Sequence, residues 1–184
     1  MKQFNNLEEL ANWLRSCGID TGIWGTGQYK TIANLWEEYE SGEVSFEEDP
    51  PLRNVSVVQI LVRRGSMVLL EIEQAFANGE RRFRHQLPSE KIKANETTVD
   101  AAYRGLQEEL GLRGDQISLK STEGEREEII IDSPSYPGLS TRYMMQKVVA
   151  CVDGLPVEDF WRDNRAFSQG DPVQQHLWGW RKQV

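Results

Sequence analysis

One run of residues constrains this chain more than any other: Glu96, then Arg104, then Glu108-Glu109-Leu110-Gly111-Leu112. The segment from Thr97 to Leu110 carries the marks of a helix. When successive residues advance by about 100°, Val99, Ala102, Tyr103, Leu106 and Leu110 gather on one side as a buried stripe. Thr97 or Thr98 can open this helix, and Gly111 can end it because glycine accepts the left-handed backbone of a helix terminus. Glu108 and Glu109 fall on either side of Gly105, on an acidic face. Clustered carboxylates repel one another in water. A hard divalent cation, which takes oxygen ligands, would give them a reason to share a surface. The bland alternative for Glu108 and Glu109 is a solvated helix face.

The same run resembles the signature of the Nudix family, G-x5-E-x7-R-E-U-x-E-E-x-G-U, in which U is a bulky aliphatic residue. Two fixed positions differ: Glu90 stands where the signature opens on glycine, and Gly105 stands where a glutamate follows the arginine. The usual lead-in, P-G-G-x-U-E-x-G-E, lies without gaps on Pro88 to Glu96 and keeps Pro88, Ile92 and Glu96. The resemblance implies an α+β fold, a Nudix-like α/β/α sandwich around a mixed sheet over residues 52–184. Residues 1–50 then form an N-terminal helical extension.

For the site, the resemblance implies that Glu96 pairs with Arg104 and locks the loop onto the helix. It makes Glu108 and Glu109 the catalytic, metal-binding carboxylates, with Mg²⁺ or Mn²⁺ as the cofactor of an active enzyme. The carboxylate absent at Gly105 leaves two functions open. One is a divergent hydrolase of nucleoside-diphosphate-linked compounds with weak turnover. The other is a catalytically inactive module that binds a ligand or a protein. An enzyme needs a substitute carboxylate, and the candidates are Glu90 and Glu127. Glu123, Glu125 and Glu128 share with Glu127 a stretch from which several members supply a base. Losing a general base commonly costs about 10²–10⁴ in rate. A glycine inside a helix also costs about 1 kcal/mol relative to alanine, so Gly105 calls for an explanation.

Composition narrows the partners. The net charge of −8 argues against a duplex-binding surface, which would need clustered Lys and Arg to displace counterions. It suits a small nucleotide-like ligand held through metal ions. Apolar runs fall far short of a membrane span. Cys17 and Cys151 are too few for a disulfide framework and read as free thiols of a cytoplasmic protein.

Hydrophobic periodicity predicts helices over Leu7–Cys17 and Thr31–Tyr39, and an acidic connector over Glu43–Pro51. It predicts a hairpin of Val55–Arg63 with Met67–Glu73, and strands over Arg81–Leu87, Ile117–Leu119, Glu127–Ile131 and Tyr143–Val152. A short helix is expected over Val157–Asn164 and an extended segment over His176–Lys182. Gly22, Gly25, Gly27, Lys30 and Thr31 miss the spacing of a phosphate loop. His176 has no nucleophile-elbow context. Trp13, Trp24 and Trp36 lie near one end and Trp161, Trp178 and Trp180 near the other. Surfaces that large must be buried. The extension is expected to pack on the C-terminal segment or the core, with a homodimer interface as the second reading.

Overall fold

The computed structural model describes residues 1–165, 167 and 171–182, and of residues 121–125 the backbone alone. Two N-terminal helices come first, α1 (Leu7–Ser16) and α2 (Ile32–Glu40). Each begins where a side-chain oxygen can satisfy a free backbone N–H: Asn6 accepts from Glu9, and Thr31 from Asn34. Strands β1 (Val44–Glu48), β2 (Pro51–Arg64), β3 (Met67–Phe76), β4 (Arg81–Gln86) and β5 (Ser89–Lys91) follow. Helix α3 (Thr98–Leu110) comes next, then β6 (Ile117–Asp132), β7 (Ser140–Val152), β8 (Phe160–Asp163) and β9 (Val173–Lys182).

The sheet is mixed. Its main path runs β6-β7-β2-β3-β9-β8, with β1 and β5 also pairing with β2, and β4 with β3. The β2–β7 pairing is parallel, from Arg53 opposite Thr141 to Val62 opposite Ala150. The other pairings among the described residues are antiparallel. Successive residues of β2 point to opposite faces. Val58, Ile60 and Val62 bury with Ala102, Leu106 and Leu110 of α3. Val55 buries instead with Leu10, Leu14 and Leu35 of the N-terminal helices. Helices therefore cover both faces of the same strand, giving the α+β layering expected of the fold.

Three expectations need correction. The acidic connector Glu43–Pro51 holds a strand, β1, whose Val44 and Phe46 are buried while Glu47 is partly exposed and Glu48, at its end, exposed. Val157–Asn164 is not a helix, because Phe160–Asp163 pairs as β8 with β9. Val99 belongs to no buried stripe: it stands in the first turn of α3 and is 42% exposed, whereas Ala101 and Gly105 are buried. The hairpin of β2 and β3 is paired only beside its turn, at Arg63–Val68 and Arg64–Met67, after which β2 follows β7.

Five of the six tryptophans divide between two cores, whereas Trp161, expected to be buried, is 38% exposed beside the Arg81 guanidinium. Trp13 packs edge-on to Phe46, and Trp24 lies against Tyr136 and donates from Nε1 to the Pro137 carbonyl at 3.0 Å. Trp178 and Trp180 bury with α3 instead. The helices of the extension and its own strand β1 thus pack with β2 and the turn before β7, not on the C-terminal tryptophans.

A candidate metal-binding site on the acidic helix

Helix α3 is fixed at both ends. Thr97 accepts from the Asp100 N–H, and Gly111 takes the left-handed conformation with φ 68°. One guanidinium then ties the helix to the segment before it. Arg104 donates from Nε to Glu96 Oε1 and from Nη2 to Glu96 Oε2, both at 2.9 Å. Nη2 also donates to the Lys91 carbonyl at 2.7 Å. Glu96 accepts in addition from the Lys93 N–H at 2.9 Å. The hydrogen bonds from Arg104 hold the Glu96 carboxyl below the usual carboxylate range. Two parallel charge-assisted bonds fix direction as well as distance. The bracing pair expected from the sequence is therefore formed.

Residue 90 occupies a place the sequence alone does not reveal. Glu90 lies on β5, opposite Val58 of β2, and its side chain crosses to α3 at Gly105. A methyl group placed on Gly105 would lie 2.8 Å from Glu90 Cβ and 3.3 Å from its Cγ. Glu90 Oε1 sits 3.2 Å from Arg104 Nη1 and accepts from the Lys91 N–H at 2.8 Å. Burial pushes the Glu90 carboxyl up despite the Arg104 charge beside it.

Glu108 and Glu109 differ although they are neighbours. Glu108 is half exposed and reaches Arg104 Nη1 at 3.5 Å. Glu109 is half-buried. Burial pushes its carboxyl well above the ordinary range, and the negative charges of Glu90, Glu71 and Glu108 add to this against the opposing charge of Arg84. Those four residues are its electrostatic surroundings. Glu127 is exposed on β6, opposite Met145, and Glu128 pairs with Arg142 Nε at 3.1 Å. The side chains of Glu123 and Glu125 lie outside the described residues.

Beneath Glu109 lies a polar network that residue patterns did not single out. Glu71 on β3 is 5% exposed. It accepts from Gln74 Nε2 at 2.6 Å and pairs with Arg84 Nε at 2.9 Å. His176 Nδ1 lies 2.5 Å from Glu71 Oε1, and an ionised carboxylate can only accept, so Nδ1 is the donor. Burial pushes the Glu71 carboxyl up, but the His176 hydrogen bond and the Arg84 charge outweigh it and hold the group below its ordinary value. The available signal was Glu71 following the apolar run Met67 to Leu70 in β3.

On the other side of β5, the extension reaches the same loop. Glu38 of α2, 8% exposed, takes Arg53 Nη2 at 2.6 Å, Lys91 Nζ at 2.5 Å and Lys30 Nζ at 3.4 Å. Lys30 and Thr31, weighed as parts of a phosphate loop, serve instead in this ion cluster and as the α2 cap.

The donor set fits a hard cation in kind: carboxylate oxygens from α3 and β5 and none of the sulfur or imidazole ligands of softer metals. Among the described residues no three His, Cys, Asp or Glu side chains are gathered as a ready cage. Glu90 and Glu108 turn instead to Arg104, the nearest positive charge. Also among the described residues, no helix is long and apolar enough to cross a membrane.

Comparison with known proteins gives one family match. The family model of the NUDIX domain matches residues 50–143, which include β2 to β5, α3 and β6. A search of curated proteins finds no match. Two solved structures of an Ap4A hydrolase from C. elegans, one of them a binary complex, are 19% identical to this chain. They cover 69% and 68% of it and 79% of their own chains, each with a TM-score of 0.33. A superposition that loose does not bear on substrate.

Proposed function

Because the chain belongs to the Nudix family, we propose that it is a divergent hydrolase that cleaves a diphosphate linkage in a nucleoside-diphosphate compound, with Mg²⁺ or Mn²⁺. One observation carries the reading: the Arg104–Glu96 clasp is intact, and Glu90 of β5 reaches the helix that carries Glu108 and Glu109 and acts on Glu109 through its charge. Like charges crowded on one helix face cost stability unless something uses them.

Within this reading Glu108 and Glu109 hold the cation and Glu96 and Arg104 keep their helix in register with the loop. The ion, when bound, neutralises diphosphate charge and makes a water more acidic. The chain's own contribution is placement. Arg104 fixes the rotation of α3, and the buried Glu71–His176 pair keeps Arg84 beside Glu109. Arg82, on the same strand as Arg84, donates to a neutral partner, Gln74, from Nε at 2.9 Å. Burial and the neighbouring Arg84 both lower its pKa. Two guanidiniums held close together suit the charge of a diphosphate. Two free cysteines suit a reducing cytoplasm.

The test is a panel of nucleoside diphosphate sugars, dinucleoside polyphosphates and nucleoside triphosphates with Mg²⁺ or Mn²⁺, read by product release. Metal-dependent turnover that falls by about 10²–10⁴ in Glu109→Gln supports the hydrolase. Absence of turnover across the panel, with the protein folded and metal-bound, favours the binding module. That second reading draws on Arg104 holding both Glu90 and Glu108.

A further inference from the structure

We propose that Glu90 and Gly105 are one exchanged pair: the carboxylate that the signature places on α3 is delivered here from β5 by Glu90, and residue 105 is glycine because Glu90 fills its space. The inference rests on the reading of this face as a cation site, and it concerns which residue supplies the third carboxylate.

Space is the first argument. A Cβ on residue 105 would stand 2.8 Å from Glu90 Cβ, well inside van der Waals contact. Glu90 cannot swing clear, because its Cβ is set by a strand paired with β2 from Gln59–Ser89 to Val57–Lys91. A side chain at 105 and a side chain at 90 therefore exclude each other. The two departures from the signature, fifteen positions apart in sequence, are one event in space. The otherwise unfavourable glycine inside α3 is thereby explained, since only a residue without Cβ admits so close an approach.

Reach is the second argument. Glu90 Oε2 lies 3.6 Å from the point where a residue-105 side chain would begin, and Oε1 is 3.2 Å from Arg104 Nη1. The carboxylate thus ends on the face that Glu108 and Glu109 share, and its charge acts on both the clasp and Glu109. A hard cation is indifferent to whether an oxygen arrives from a helix or a strand, provided that number and charge of ligands are kept.

The test uses the full chain with four variants: Glu90→Gln, Glu90→Gly, Gly105→Glu, and Glu90→Gly with Gly105→Glu together. Mn²⁺ alone is the probe, followed by its electron spin resonance signal, and thermal midpoints are recorded in chelator. Glu90→Gln keeps volume and removes charge. It should weaken Mn²⁺ binding by about tenfold or more, a loss that even an outer-sphere partner can cause, without lowering the midpoint. Gly105→Glu alone should lower the midpoint by about 4–8 °C from overpacking and fail to tighten Mn²⁺ binding. Glu90→Gly should also bind Mn²⁺ weakly, and the double variant should regain both midpoint and binding.

A Gly105→Glu protein as stable as the double variant overturns the exchange, as does Glu90→Gln binding Mn²⁺ like the wild type. Should Gly105→Glu not fold, Glu90→Gln still decides. The outcome is separable from the hydrolase reading: a protein without turnover whose Mn²⁺ binding follows these variants keeps the exchange and loses the enzyme. A protein with turnover whose Mn²⁺ binding ignores Glu90 does the reverse.

Discussion

Replacing Glu38 by glutamine probes how the extension is joined to the site loop. Glu38 is buried, and its partner Arg53 has a side chain only 3% exposed. Lys91 retains Glu43 at 3.1 Å and Lys30 retains Asp171 at 2.9 Å when Glu38 is neutralised. Among the described residues no second carboxylate pairs with Arg53: its Nε lacks a hydrogen-bond partner there, and the guanidinium lies 5.1 Å from the Tyr136 ring. Breaking a buried pair by removing one charge costs about 3–5 kcal/mol. Glutamine can still accept one hydrogen bond and the lysines keep their carboxylates, so the lower end applies. At roughly 2–4 °C per kcal/mol for a chain of this size, the midpoint at pH 7 should fall by about 6–12 °C.

The pH dependence has a definite sign. Burial alone would raise the Glu38 carboxyl, but Lys91, Arg53 and Lys30 hold it well below its ordinary value of 4.5. A depressed carboxylate stabilises fully above its unfolded value and loses that contribution as pH falls toward its folded value. The gap between wild type and Glu38→Gln should therefore be full at pH 7 and narrow below about pH 4.5. Thermal melts followed by circular dichroism across that range check it. A gap under about 2 °C at pH 7, or one that widens on acidification, would refute the hub.

Three further perturbations separate architecture from chemistry. Arg104→Met should cost about 2–3 kcal/mol in a denaturant titration, because it strips charge-assisted bonds from Glu96 and leaves Glu90 without its cation. Arg104→Lys should not restore this stability, since an ammonium cannot form the bidentate pair. Glu109→Gln should raise the metal-free midpoint by about 2–4 °C by removing a carboxylate disfavoured by burial and by the charges of Glu90, Glu71 and Glu108, while lowering metal-dependent turnover by about 10²–10⁴. Trp13→Ala should cost about 3–5 kcal/mol in chemical unfolding, because its ring is buried against Phe4 and Phe46.

What the sequence disclosed follows the range of the forces involved. Helix α3 was legible because its signals are local: Thr97 and Gly111 at its ends, with Ala102, Leu106 and Leu110 on one side. The Glu96–Arg104 clasp was legible because loop and helix are contiguous in the chain. Strand β1 was not, since Glu43, Glu47, Glu48 and Asp49 disguise an alternation whose inward positions are only Val44 and Phe46. Nor was β8, because Phe160–Asp163 is too short to show a period and owes its form to pairing with β9. The parallel partnership of β2 and β7 joins residues nearly ninety positions apart, beyond any local pattern. At the site, Glu90 was visible as a departure and Gly105 as another. Their contact depends on β5 lying beside α3, which no spacing rule contains. Glu71 and His176 were opaque for the same reason, since their meeting requires β3 and β9 to be neighbours.

The central claim is that this acidic face holds a divalent cation through both helix and strand. A crystal of the wild-type protein grown with Mn²⁺, with data collected for anomalous scattering, tests it most directly. An anomalous peak at roughly 2.0–2.6 Å from carboxylate oxygens of Glu109 and Glu90, the range of hard-cation ligands, is the expected result. Saturating Mn²⁺ with no peak on this face, or a peak bound elsewhere while Glu90 stays on Arg104, would contradict it.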